Sequence, residues 1–475
     1  NGKLLAWAAV TCHMAETGGP VPGGYNPEAE NLFSEGLRIP HLKLVDAGTL
    51  REDVWNLILA NLRTPLTQDG DMRAMLSALN RAEERIIDLC TKYTLETVKT
   101  SIEVLIERAE RIAKEEIMQM PDGVYKGAAM MEGDAKTSHE IKIECKLEIK
   151  NDEMYIRLSS PAQVKSYLNS YPANTLSAVY FAFLSSLSPD VPVNEGLYKP
   201  LRIDIGPQGS LINPIAPAPC AASTGVTFSA IFDAIADALS KTNSNRACAT
   251  WAYSTINNFG GMDPRDGRPF TFLSNLSNLG GGGAYYGRDG GPLWGVISTG
   301  GGAMTGDIEL IEFRLPIHVH KHELRVDSAC PGEWRGGLGA DVDIEVQANE
   351  CVVNHSGGGT TFPPASRLGG GSPCDHTLRL NKKWVQRRSG DVEEFPLNSV
   401  KTLQWGDRLI GHVTGGGGVG HAWNRDPEEV AEDVRNGVVS IEKAKKEYMV
   451  MIDSDSMLVD ATQTYEIRKS KRNRQ

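Results

Sequence analysis

The chain has 475 residues, 40% of them hydrophobic, with 49 basic against 60 acidic side chains and a formal net charge of −11. This is enough apolar mass for a large core divided among two or more domains, and the acidic balance argues against nucleic acid or an anionic membrane as the main partner, since both select for basic surface. No apolar run approaches the roughly 18 residues needed to cross a bilayer, while eight scattered cysteines (12, 90, 145, 220, 248, 330, 351 and 374), without a CxxC pair or a secretory leader, predict reduced thiols and a cytoplasmic location.

Asn1-Gly2 is a favoured hairpin-turn pair that runs straight into the apolar "LLAWAAVTC". The pattern predicts a strand there, a second strand before it, and hence a chain that begins inside a domain. His13 would sit at the end of that strand, before the glycine-rich turn in "TCHMAETGGPVPGG". A neutral imidazole there can reach a divalent ion, with Glu16 as a nearby carboxylate, although one His and one Glu fall short of the three or four ligands a metal site needs. Cys12 is expected to be a buried structural thiol.

From 50 to about 118 the apolar period is helical: Val54, Leu57, Ile58 and Leu62; Met72, Met75, Leu76, Leu79 and Ile86; Ile102, Leu105, Ile106, Ala109 and Ile112. Three long amphipathic helices follow, their stripes expected to be core. At Pro121-Asp122-Gly123 the period changes to strict alternation in "IKIECKLEIK", then a polar turn and "MYIRL", an antiparallel hairpin with one wet face. Helices are predicted near 173–186 and 226–240, the second beneath the stiff connector "PIAPAP" at 214–219.

Beyond 250, glycine runs such as "GGGGAYYG", "WRGGLGA" and "TGGGGVGHAW" alternate with β-branched segments such as "ADVDIEVQA". This predicts an irregular β-rich region with close backbone approaches. Within it, His318, His320 and His322 fit either zinc ligands on one strand face or a solvated face. "GGGGVGH" fits a packing turn better than a phosphate cradle, because no Walker-type lysine follows. Arg335 can pair internally or face a ligand. Asp426, Pro427 and Glu429 start a helix that Gly437 ends, Ser440 caps another, "MVMID" is expected as a closing strand, and "RKSKRNRQ" as a solvated tail. The predicted fold is α+β and multi-domain: a mixed strand and long-helix region (1–120), an α/β region with an antiparallel hairpin (121–245) and a glycine-rich, β-rich region with C-terminal capping helices (246–475).

Taken in order, "HMAETGGPVPGG", "EGLRIPHLKL", "ILANLRTPLTQDGDMRAMLSALNRAEERI", "PDGVY", "NEGLYKPLRI", "GSLINPIAPAP", "RVDSACPGEWRGGLGA" and "GGGGVGHAWNRDPEEVAEDVRNGVVS" resemble the hydantoinase B/oxoprolinase family, which includes large subunits of acetone and acetophenone carboxylases. Family members usually carry His-His-Ala-Asp-Ile-Gly-Gly where this chain has His13-Met14-Ala15-Glu16-Thr17-Gly18-Gly19; the first histidine is kept, the second is Met and the acid is Glu. In the related carboxylases a histidine of this segment binds a metal together with an upstream His-x-x-Asp stretch, which is not present here. The resemblance implies His13 and Glu16 as metal donors (zinc first, manganese second), and Glu35 and Arg38 as polar catalytic groups near the pocket. It also implies a hydantoinase A-like partner subunit holding Mg-ATP in an actin-like fold, with a possible small accessory subunit.

Two enzymatic functions are consistent with this. The departure from the double histidine favours a subunit of an ATP-dependent ketone carboxylase of acetophenone or acetone type, in which ketone and bicarbonate are activated by ATP and joined in a dry pocket. The alternative is ATP-dependent hydrolysis of a cyclic amide such as a hydantoin, 5-oxoproline or a lactam. A third possibility is a scaffold subunit that has lost its site.

Overall fold

The computed structural model describes residues 4–133, 140–371 and 375–472. Asn1-Gly2, Cys374 and the last three residues lie outside them. The described residues form an α+β, multi-domain chain.

Residues 4–14 are not a strand: their backbone is irregular and Trp7 is exposed. The β-favouring composition is present, but no other described strand pairs with them. A two-residue hairpin, β1 (Val45–Asp46) and β2 (Thr49–Leu50), leads into three helices, α1 (Glu52–Ala60), α2 (Pro65–Tyr93) and α3 (Leu95–Met118). The helices match the predicted period, but the expected core does not follow along their whole length. Trp55, Ile58 and Met72 form a small buried cluster, and Val98, Ala109, Ala113 and Ile117 are buried on α3, whereas Ile87, Leu89, Ile102 and Leu105 are exposed. α3 packs along the turn Glu195–Tyr198 closely enough that a Cβ on Gly196 would lie 1.9 Å from the Ile106 carbonyl oxygen.

The first large sheet runs β3 (Gly123–Met131), β4 (Ile141–Lys150), β5 (Glu153–Ser159) and β6 (Leu201–Asp204), antiparallel except for the parallel β5–β6 pair. Ile141, Ile143, Cys145, Leu147 and Ile149 point inward while the alternate Lys and Glu residues face solvent, as the alternation predicts. α5 (Phe228–Leu239) covers the inner face, and α4 (Pro172–Ser185) packs on α5. α5 is apolar nearly all round and is buried accordingly. It packs between the sheet and α4. The 214–219 connector is tied to the N-terminal segment, the Pro217 carbonyl accepting from the Leu32 N–H at 2.9 Å.

The glycine-rich half contains two further sheets. One orders β10 (Ile317–Leu324), β11 (Ala340–Val346), β16 (Arg408–His412), β13 (Lys382–Gln386) and β14 (Val392–Glu394). The other orders β15 (Ser399–Gln404), β12 (Glu350–Gly357), β8 (Asn258–Met262) and β9 (Pro269–Leu273), with β7 (Thr255–Ile256) on the end of β12. Val342, Ile344, Leu409 and Val385 from the first meet Phe259, Cys351, Val353 and Leu403 from the second in one core, with the helix α6 (Ile308–Arg314) packed against it. The glycine runs interlock beside this core: Gly337 donates to the Gly282 carbonyl at 2.8 Å and Gly416 to that of Gly337 at 2.9 Å. A Cβ on Gly281 would lie 1.9 Å from the Gly337 oxygen, and one on Gly416 2.0 Å from the Gly282 oxygen. "GGGGVGH" is therefore a packing turn.

At the C-terminal end, α7 (Pro427–Arg435) is capped by Asp426 and α8 (Ile441–Glu447) by Ser440, as their sequences predict. "MVMID" is not a strand. Ile452 makes a single bridge to Val459, because Asp453 accepts from the Ser456 N–H and turns the chain back. Most of the expected basic tail belongs to a helix, α9 (Ala461–Arg472), started by the Asp460 carboxylate accepting from Gln463 N–H and anchored where Arg468 donates to the carbonyls of Arg425 and Tyr448. No helix among the described residues is long and apolar enough to cross a membrane.

A buried histidine on β12 makes the fold acid-sensitive. His355 is 1% exposed, its Nδ1 hydrogen-bonded to the Phe395 carbonyl, and burial, reinforced by nearby Lys383, pushes its pKa down to about 3. The unfolded chain binds a proton near pH 6.5 that the folded one does not take until about pH 3, so stability present above pH 6.5 is lost as pH falls through that window. The slope amounts to about 1.4 kcal/mol per pH unit for this one group. Melting curves from pH 7 to 4 should show His355→Asn, which keeps a donor for Phe395, losing less stability than the parent; parallel profiles would refute the assignment.

Candidate functional site

Four glycines with positive φ (Gly18, Gly19, Gly23 and Gly24) fold residues 17–25 back on themselves. The turn is fastened to residues 35–37: Leu37 N–H donates to the Thr17 carbonyl at 2.7 Å, and a Cβ on Gly36 would lie 2.4 Å from that same oxygen. Behind the turn sits Glu16, fully buried. Its carboxylate accepts from Gly18 N–H at 2.6 Å, Gly23 N–H at 3.3 Å and the Arg63 guanidinium at 2.9 Å, and Arg63 also donates to the Gly19 carbonyl. A buried carboxylate holding two amides and a guanidinium braces the turn.

In front of the turn is a cavity of about 390 Å3, walled by His13, Tyr25, Leu32, Glu35, Arg38 and Ala221, among others. Asn31 caps the short turn Leu32–Ser34 that carries the sequence round to Glu35. Glu35 Oε1 accepts from the N–H groups of Cys220 and Ala221, both at 2.7 Å, just before the π-helical turn Ser223–Thr227 that opens α5. Burial raises the Glu35 pKa above the usual carboxylate value, and the two amides only partly offset it. The Cys220 thiol beside it is pushed up to about 12, by burial first and then by the Glu35 charge, which makes it an inert neighbour. Arg38 is exposed at the rim, its guanidinium 5.0 Å from the centroid of the Phe33 ring. Tyr25 is held from the β-rich half, its carbonyl accepting from Asn354 Nδ2 on β12 at 2.9 Å.

The structure thus brings His13, Glu35 and Arg38 to one cavity and places Glu16 behind its wall. Among the described residues no group of three or more His, Cys, Asp and Glu side chains could hold a metal ion. His13 lines the cavity, while the Glu16 carboxylate is turned into the glycine turn and held by Gly18, Gly23 and Arg63. Cys12 is exposed rather than buried, because the segment carrying it lies on the surface. The three histidines of β10 are not a metal cluster either. A bulge between Val319 and Lys321 breaks their alternation, His318 pairs with Glu312 and His320 with Glu345, while His322 is half-buried. Arg335 pairs internally with Asp433 at 3.0 Å, in a network that also contains Asp289 and Arg425. Sequence reasoning passed over Arg63, Tyr25 and the 220–224 segment, since no local spacing links them to residue 13.

The sequence profile of the hydantoinase B/oxoprolinase family matches residues 1–422, which include every wall of this cavity. The chain belongs to that family. It is 35% identical to caprolactamase subunit beta of Pseudomonas jessenii over 97% of this chain and 79% of that protein. It is 27% identical to the acetophenone carboxylase delta subunit of Aromatoleum aromaticum over 98% of this chain and 73% of that one. The crystal structure of the ATP-dependent caprolactamase from P. jessenii superposes with a TM-score of 0.87 at 34% identity, covering 96% of this chain and 78% of that chain. Within the family, then, the glycine turn at 17–25 and the α5 entry at 220–227 are what this chain uses to shape its cavity.

Proposed function

We propose that this chain is the hydantoinase B-type subunit of an ATP-dependent cyclic-amide hydrolase, working with a hydantoinase A-like subunit that binds Mg-ATP. The observation that carries the proposal is the 35% identity to a caprolactamase subunit across nearly the whole chain, against 27% to a carboxylase subunit. The missing second histidine favoured the ketone carboxylase, but it is one position in a short motif. Likeness over 462 residues outweighs it.

ATP on the partner activates the amide oxygen as a phosphoryl ester, and water then attacks the ring carbon. In the cavity, Glu35 is the group suited to take the proton from that water, since its raised pKa makes it a better base than an ordinary carboxylate. Arg38 at the rim supplies a fixed positive charge for the phosphoryl group. The apolar wall from Met14, Leu32 and Leu37 accommodates an alkyl ring.

Co-expression with the ATP-binding subunit, purification of the complex, and assay of ADP release with caprolactam, hydantoin and 5-oxoproline tests this. At least one cyclic amide should stimulate ADP release and yield the ring-opened amino acid. ADP release stimulated by acetone or acetophenone with bicarbonate, and by no cyclic amide, would restore the carboxylase.

A further inference from the structure

Opening a lactam needs an acid as well as a base, because an alkyl amine leaves carbon only when its nitrogen is protonated. Among the cavity walls, Arg38 keeps its proton at any working pH, Glu35 is assigned to the water, and His13 stands exposed on the irregular N-terminal segment. Tyr25 offers a neutral O–H in the same cavity. Its ring packs against the large core that contains α5, its carbonyl is held by Asn354, and Thr224, at the entry to α5, lies beside its hydroxyl. Gly23 and Gly24, both with positive φ, deliver it there; a Cβ on Gly24 would lie 2.3 Å from Thr17 Oγ1. Burial raises the phenol's pKa, so it remains protonated where an ordinary tyrosine begins to ionise.

We propose that Tyr25 is the catalytic acid that protonates the ring nitrogen as the C–N bond breaks; this rests on the cyclic-amide reading. After water has added, the carbon carries a hydroxyl, the phosphoryl oxygen and the ring nitrogen. Glu35, having passed the first proton of the water to solvent, takes the hydroxyl proton and the C=O bond forms. The C–N electron pair goes to nitrogen, which takes the phenolic proton, leaving an acyl phosphate and a free amine. A second water releases phosphate from the acyl group, and the proton held by Glu35 returns through solvent to the Tyr25 phenolate. Atoms and charges balance with ATP and water as the only co-reactants.

The test is Tyr25→Phe in the intact complex with its ATP-binding subunit, assayed on caprolactam and on hydantoin. Phenylalanine keeps the ring packing, and an unchanged melting temperature and subunit stoichiometry confirm the fold. Turnover of caprolactam, whose leaving group is an alkyl amine, should fall about 100-fold or more, and the high-pH limb of its kcat profile should disappear. Hydantoin leaves through a ureido nitrogen that needs less protonation, so its turnover should fall less than about 10-fold. Equal losses on both rings, or no loss on caprolactam, would overturn the role of Tyr25 while leaving the cyclic-amide function standing. A parent complex that opens neither ring would overturn both.

Discussion

Glu35→Gln is expected to lower kcat for ring opening by about 100- to 10,000-fold, the range that a positioned general base contributes, while leaving the fold and the subunit complex intact. Glutamine keeps a carbonyl oxygen for the N–H groups of Cys220 and Ala221, so the junction between residues 31–38 and the start of α5 survives. Glu35→Ala goes further, leaving two part-buried amides without their acceptor, which adds about 1–3 kcal/mol of destabilisation per group. Steady-state kinetics and melting curves on the two variants separate the roles: a base shows as lost kcat in both, a structural cap as lost stability in Ala alone. If Glu35→Gln retained full turnover, the base would have to be sought elsewhere in the cavity.

The largest loss of stability is expected from Glu447→Ala. Glu447 on α8 pairs with Arg379, both oxygens accepting from the guanidinium at 3.0 and 2.8 Å, and Arg379 is 1% exposed. The same guanidinium donates to the Ala329 carbonyl and thereby ties the C-terminal helices to the 329–336 segment. Removing the carboxylate takes the paired counter-charge from a buried guanidinium, at a cost of about 3–5 kcal/mol. Glu447→Gln keeps an acceptor and should cost less. Chemical denaturation of the three proteins checks the order. A loss below about 1 kcal/mol for alanine would mean that water reaches Arg379.

Much of the architecture was legible where a single period persists. "IKIECKLEIK" reads as β4 because one face is wet and the other packs under α5, so every second residue is forced to be apolar. Asp426 and Ser440 read as caps because their hydrogen bonds are local. The failures have the opposite character. "LLAWAAVTC" has strand composition, but a strand also needs a neighbour, and composition does not encode one. Ile102 and Leu105 have helical spacing, yet whether a stripe is covered depends on what the rest of the fold lays over it. The basic run at 468–472 looks like a tail until Asp460, outside the run, is seen to start its helix.

The site divides in the same way. His13, Glu35 and Arg38 lie within 26 positions of one another and were picked out together with Glu16, which the fold sets behind the cavity wall. Its partner Arg63 is 47 residues away, in the link between α1 and α2, and the amides that hold Glu35 are 185 and 186 residues away. The Glu35 contacts form where the 214–219 connector brings the α5 entry back to residues 31–38. Nothing in the spacing of charged residues announces them.

The most direct measurement is the mass of the product formed by the complete complex from caprolactam and ATP in water containing 13C-labelled bicarbonate. Ring opening predicts a product heavier than the lactam by one water and free of 13C. A product that carries a labelled carboxyl group, formed only when bicarbonate is present, would contradict the account.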